Sequence, residues 1–179
     1  DLRQQIDRMV LALRPDGMIL TPPLCDNPEV LAALRESGTP CVLMSPERDL
    51  RGVPSVRMDD VHAAEEITNL LLSLGHQRIA FIKGPPDQSA SGLRYQGFVN
   101  ALRSHGLQPD PDLIQPGTFT FAGGRDAAHQ LLSRRQRPTA VFASNDDMAL
   151  GVLAAAQRLG LAVPKELSVA GFDDSPTAA

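Results

Sequence analysis

The chain has 179 residues, 42% of them apolar, and a formal net charge of −4. That is enough apolar material for a core in one domain or two small lobes, and the acidic balance excludes a general nucleic-acid surface on this segment. No apolar run approaches the ~18 residues of a membrane span, and Asp1-Leu2-Arg3-Gln4-Gln5 reads as the start of an amphipathic helix, not as a charged-then-apolar secretory leader.

A chain that begins without Met is expected to be a fragment or a processed product. Leu2, Ile6, Met9, Val10 and Leu13 recur at helical spacing and predict a helix over 2–14. Pro15-Asp16-Gly17 is a turn, and Met18-Ile19-Leu20 a short strand. Asn27 caps a second helix over 28–37, with Pro28 at its first position. Cys41-Val42-Leu43-Met44 is the next strand and Ser55-Val56-Arg57-Met58 a weak one, separated by a polar loop. Cys25 and Cys41 have no CxxC spacing and read as reduced, with Cys41 as a small core residue.

Asp59 or Asp60 then caps a helix over 61–74, with Ala64, Ile67, Leu70 and Leu71 on one face. A buried strand follows at 79–82 and a helix at 89–105, with Leu93, Phe98, Ala101 and Leu102 as core candidates. Residues 117–121 are read as a short strand and 124–133 as a helix ending in a basic run. Ala140 to Ala143 is a strand buried on both faces, which runs through Ser144-Asn145-Asp146-Asp147 into a small apolar helix closed by Gly160. Ser144 stands three residues before Asp147, a capping-box-like spacing. The last strand covers 167–172 and ends at Asp173-Asp174. Strands and helices alternate throughout, which predicts parallel sheets built from βαβ units.

Carboxylates gather at element ends: Asp59 and Asp60, Asp146 and Asp147, Asp173 and Asp174. Such pairs serve as metal ligands, acid–base groups, helix caps or acceptors for sugar hydroxyls. No His stands at a ligand spacing from them; His62, His76, His105 and His129 read as surface or helix-end residues. There is no GxSxG, HExxH, Walker or GxGxxG motif, so no metal site, cofactor or catalytic set is expected. Asn145 and Asp146 stand at a strand-to-helix corner, where α/β sheets bind ligands, though capping alone would explain them. Arg94, on the first turns of its helix, can fork onto ligand oxygens or form an ion pair on the helix surface. Phe119 suits a ligand face or the core equally.

Five stretches together resemble the effector-binding domain of the LacI/GalR family of bacterial transcription regulators. They are Asp16-Gly17-Met18-Ile19-Leu20, Gly75-His76-Gln77-Arg78-Ile79-Ala80 with Gly84-Pro85, Arg94-Tyr95-Gln96-Gly97-Phe98, Pro138 through Gly151, and Leu167 through Asp174. Their order and spacing match the family, and they cover essentially the whole chain.

The resemblance implies a periplasmic-binding-protein-like α/β fold of two parallel-sheet subdomains with a ligand cleft between them. Residues 1–58 would be part of the N-terminal subdomain and 59–179 the C-terminal one, whose last part is missing. The family's headpiece, hinge helix, first strand and helix, and closing C-terminal part are absent from this chain. The N-terminal lobe is therefore expected to be incomplete, with exposed sheet edges. Ligand positions carry over to Arg94, Asn145 and Asp173, with Phe119 as an aromatic wall and Ser45 and Met58 near the lobe crossing. An Asp, an Asn, a forked Arg and an aromatic face suit a sugar or similar polyhydroxy effector; purine-like effectors also occur in the family. The implied protein is a cytoplasmic, homodimeric repressor, not an enzyme, that meets operator DNA through its headpiece and no membrane. A periplasmic sugar-binding protein of a transport system is the alternative on the same fold.

Overall fold

Among the described residues, seven strands, all parallel to their neighbours, form two separate sheets. The structure, a computed structural model, describes residues 2–178. Its contacts divide the chain into two units, Asp1–Met58 with Asp87–Ala90, and Asp59–Pro86 with Ser91–Ala179.

The first unit contains α1 (Leu2–Leu13), β1 (Met18–Leu20), α2 (Pro28–Ser37), β2 (Cys41–Met44) and β3 (Ser55–Val56), with sheet order β1-β2-β3. Asn27 caps α2 by accepting from Glu29 N and Val30 N, and Gly38 ends the helix at φ 69. Ile6, Val30, Ala33 and Leu34 of the helices pack on Leu20 and Leu43 of the strands. Cys25 is fully buried among them, and Cys41, expected as a core residue, is only partly buried against the same cluster. Burial raises the Cys25 thiol to about 11, with Asp26 adding to the effect, so it stays a neutral core group. The alternate side chains of the strands are left open: Ile19 is 70% and Val56 62% exposed. A parallel sheet is normally covered on both faces. Here a groove of about 700 Å³ remains, lined by Ile19, Leu31, Val42, Leu50 and Val53 among others.

The second unit contains α3 (Asp60–Ser73), β4 (Ile79–Lys83), α4 (Ser89–Ser104, its first residues lying with the first unit), β5 (Ile114–Pro116), α5 (Phe121–Leu132), β6 (Ala140–Ala143), α6 (Asp146–Arg158) and β7 (Ser168–Ala170). Its sheet order is β5-β4-β6-β7. The two-residue period of the strands divides the core in two. Ile79, Phe81, Ala140 and Phe142 pack with Ala64, Leu71, Phe98 and Leu102 of α3 and α4. Ala80, Ile82, Val141 and Ala143 pack with Leu131, Met148 and Val152 of α5 and α6. Phe81 and Phe142 are register partners, and their rings meet edge to face at 5.0 Å.

Several local expectations change. Strand β5 lies at 114–116, not 117–121, because Phe119 turns the chain at φ 55. Thr120 then accepts from Gly123 N and starts α5 at Phe121, ahead of the expected Gly124. Gly124 and Gly151 let α5 and α6 cross backbone to backbone: a Cβ on either would strike the other helix. Leu70 is 60% exposed, and Thr68 takes the buried position, bonding Ala64 O at 2.8 Å. His76, just past the end of α3, uses both ring nitrogens: they meet Thr139 Oγ1 and Ser168 Oγ, both at 2.9 Å, and tie the starts of β6 and β7 together.

Candidate functional site

In the second unit the chain leaves β4 for α4 and β5 on one side, then crosses back to β6 and β7 on the other. The winding reverses between β4 and β6, and the carboxyl ends there are where open α/β sheets hold ligands. The residues that follow those ends are Gly84, Phe119, Ser144 with Asn145, and Asp173.

Arg94 is the centre of this edge. Gly97, one turn on, has no room for a Cβ against Val61 O and Ala64, so α4 seats closely on α3 and brings Arg94 to the start of that helix. Arg94 is 8% exposed and Asp60 3%. Arg94 Nε donates to Asp60 Oδ1 at 2.8 Å. Its Nη1 donates to Ser144 O at 2.6 Å and to Asp173 Oδ1 at 3.3 Å. The guanidinium lies 3.7 Å from the centre of the Phe172 ring. The ion pair is therefore buried, not the surface pair of the sequence reading. A buried pair of this kind is retained only when its remaining donors are satisfied. The carbonyl of Ser144 and the face of Phe172 do this.

Asn145 uses both ends of its amide. Oδ1 accepts from Met148 N at 3.0 Å and caps α6. Nδ2 donates to Phe119 O at 3.2 Å. The cap is thus Asn145 itself and not Ser144, whose Oγ is buried with no hydrogen-bond partner among the described residues. Phe119 sits at φ 55, and its ring occupies the space that a side chain on Gly84 would need. It packs against the α5–α6 core while remaining partly exposed.

Asp146, at the start of α6, is buried and accepts from Ser175 N at 2.7 Å. Asp173 has its side chain 43% exposed and sits at φ 111, followed by Asp174 at φ 53. Positive φ in two consecutive non-glycine residues is a costly backbone, of the kind found at binding sites. Burial raises the Asp173 carboxyl above the ordinary value; Arg94 pulls it down, and Asp146 and Asp60 push it up.

The structure thus brings Arg94, Asn145, Phe119 and Asp173 to one edge of one sheet. Ser45 and Met58 belong to the first unit. Ser45, at φ 48, donates from its N to Val56 O at 2.7 Å and accepts at its O from Ser89 Oγ at 2.9 Å. Met58 is 49% exposed. Sequence reasoning missed Asp60, Phe172 and Ser144 O as partners of Arg94. One signal existed: Asp59 caps α3 through His62 N, which leaves the adjacent Asp60 without that task. Among the described residues, no group of three or more His, Cys, Asp or Glu is placed to hold a metal ion.

Comparison with known proteins adds the lineage. Residues 68–179 match the periplasmic binding protein-like domain family. The HTH-type transcriptional repressor CytR of Escherichia coli K12 is 46% identical over 130 residues, covering 73% of this chain and 37% of that protein. The transcriptional regulator CelR, solved as a cellobiose complex, superposes with a TM-score of 0.87 at 33% identity, over 98% of this chain and 54% of that one. A LacI-family regulatory protein from Chloroflexus aggregans gives 0.87 at 30% identity, over 99% and 65%. The chain therefore spans between about two fifths and two thirds of these relatives' lengths. It belongs to the periplasmic-binding-protein-like domain family, and within it to the effector-binding domains of LacI/GalR-type regulators.

Proposed function

We propose that the chain is the effector-sensing part of a LacI-type transcriptional repressor. It binds a sugar or related polyhydroxy metabolite at the carboxyl edge of the β4–β7 sheet. The observation that carries this reading is the pairing of a fixed donor, Arg94, with a half-exposed acceptor, Asp173, at that edge. Asp173 accepts from ligand hydroxyls, Arg94 donates, and Phe119 offers a flat apolar face. Asn145 holds the edge together through its bond to Phe119 O, and the second hydrogen of its Nδ2 is left for a ligand.

Binding acts on DNA by differential affinity: an effector that prefers one conformation shifts the population toward it. In a homodimer, that shift changes how two operator-reading headpieces are spaced. Phe121 and Leu153, exposed on the α5–α6 layer, are apolar surface available to a second copy. The regulator reading places the protein in the cytoplasm. A transport receptor on the same fold is disfavoured by the repressor and regulator relatives.

The test is a gel-shift assay of the full-length protein on its own upstream control region, repeated with a panel of free sugars and nucleosides. At least one compound should change operator affinity by tenfold or more, roughly the lower range of allosteric coupling. Failure to bind any DNA segment, with sugar binding intact, would return the reading to a transport receptor.

A further inference from the structure

The charges around Arg94 do not balance. Three carboxylates surround this edge: Asp60 and Asp173 in contact with Arg94, and Asp146 close enough to act on Asp173. Lys83, at the end of β4, is engaged on the face of Tyr95, with Nζ 3.6 Å from the ring centre. The start of α6 offsets part of the Asp146 charge, and Asp146 also accepts from Ser175 N. Asp173 shares Arg94 with Asp60 as its offset, and it is the carboxylate that stays exposed.

The guanidinium itself is largely committed. Its Nε and Nη1 are bonded inside the protein and one face is covered by Phe172. An arginine that receives phosphate or carboxylate needs its fork open and its charge unspent. In Arg94 the Nε edge and most of the charge are taken by Asp60, almost fully buried, so what is left for a ligand is a donor with little net charge behind it.

We propose that Asp60 is the positioning residue that sets the charge selectivity of this site. By neutralising Arg94 it restricts the site to uncharged or cationic effectors bearing hydroxyl or amine donors, and rejects their phosphate and carboxylate derivatives. The inference rests on the effector site lying at this edge, as proposed above. An incoming anion would meet the exposed Asp173 carboxylate with no free positive charge to receive it, and like charge at contact distance is the usual means of excluding a ligand.

The experiment is calorimetry on the full-length protein with glucose, ribose and adenosine, each against its phosphate monoester. The wild type should bind at least one neutral compound, and its monoester at least about tenfold more weakly, the cost of roughly one unit of unfavourable charge contact. Asp60→Asn keeps an oxygen acceptor for Arg94 Nε and removes the charge. The readout is the ratio of the two affinities in the same variant: the monoester penalty should shrink to about threefold or less, whatever the neutral affinity becomes. A purely structural role for Asp60 would change both affinities together and leave their ratio unmoved. A wild type that binds a monoester as tightly as the parent compound, or an unchanged ratio in Asp60→Asn, overturns the inference. Should that variant not fold, the wild-type ratios decide. Asp173→Ala is run in parallel: a neutral compound indifferent to it removes the site reading itself, whereas one that needs Asp173 but prefers the monoester removes only the charge selectivity.

Discussion

At the scale of single residues, Arg94 and Asp60 are mutually dependent. Each is buried, and each would be an uncompensated charge without the other. Arg94→Met should therefore cost about 3–5 kcal/mol in denaturant unfolding. Adding Asp60→Leu to it should recover a large part of that loss, since apolar pairs often replace buried ion pairs at little cost. Equal stability of the single and double variants would contradict this coupling. Asp173 is the opposite case, a residue that the fold tolerates. Its carboxyl is raised chiefly by burial, so the folded chain holds its proton more tightly than the unfolded chain does. The group favours the fold below the ordinary carboxylate value of about 3.9, and that contribution is lost as pH rises through its raised folded value. Asp173→Asn should then gain thermal stability relative to wild type as pH rises toward neutrality, with the difference vanishing in acid. Paired melting curves across that range check the sign. A residue that costs stability and is retained at a strained φ fits a role in binding better than a role in folding.

At the scale of elements, Asn145 joins two of them. It caps α6 and holds the turn between β5 and α5 through Phe119 O. Asn145→Ala loses both contacts and should destabilise by about 1–2 kcal/mol, a cap and one hydrogen bond. Asn145→Asp keeps the cap and loses only the donor to Phe119, so it should cost less. Urea midpoints for the two variants measure the order, and the reverse order would show that repulsion between the new carboxylate and Phe119 O outweighs the retained cap. The element order was legible in the sequence. Alternating apolar runs such as Ala140 to Ala143 and the breakers Gly38, Gly75 and Gly160 mark where strands and helices stop. The segment after β5 was not, since Phe119 is an apolar β-former whose positive φ is imposed by its surroundings. Leu70 was misassigned for a related reason: periodicity gives the face of a helix, and not where the covering layer ends.

At the scale of the whole molecule, the placement of Asn145 and Asp173 at strand carboxyl ends followed from sequence, because each lies just past an apolar run, and Arg94 was expected beside such an end, on the first turns of its helix. Their partners did not. Asp60 is 34 residues before Arg94, and Ser144 acts through a backbone carbonyl that no side-chain pattern can encode. Long-range pairing is a property of the sheet order, in which the chain reverses its winding between β4 and β6. That reversal places a fixed cation beside a half-exposed acceptor. The two units differ in how fully their sheets are covered. The β4–β7 sheet has helices packed on both faces, whereas the β1–β3 sheet leaves Ile19 and Val56 exposed. The second unit, with the more fully covered sheet, is therefore the platform on which the proposed site is built.

The central claim is that Asp173 receives the effector at that platform. It is tested most directly by calorimetric titration of Asp173→Ala in the full-length protein, using whichever neutral compound binds the wild type, with circular dichroism on the same samples. The account predicts a wild-type spectrum and melting profile with binding abolished. A variant that keeps the wild-type spectrum and the wild-type affinity would contradict it.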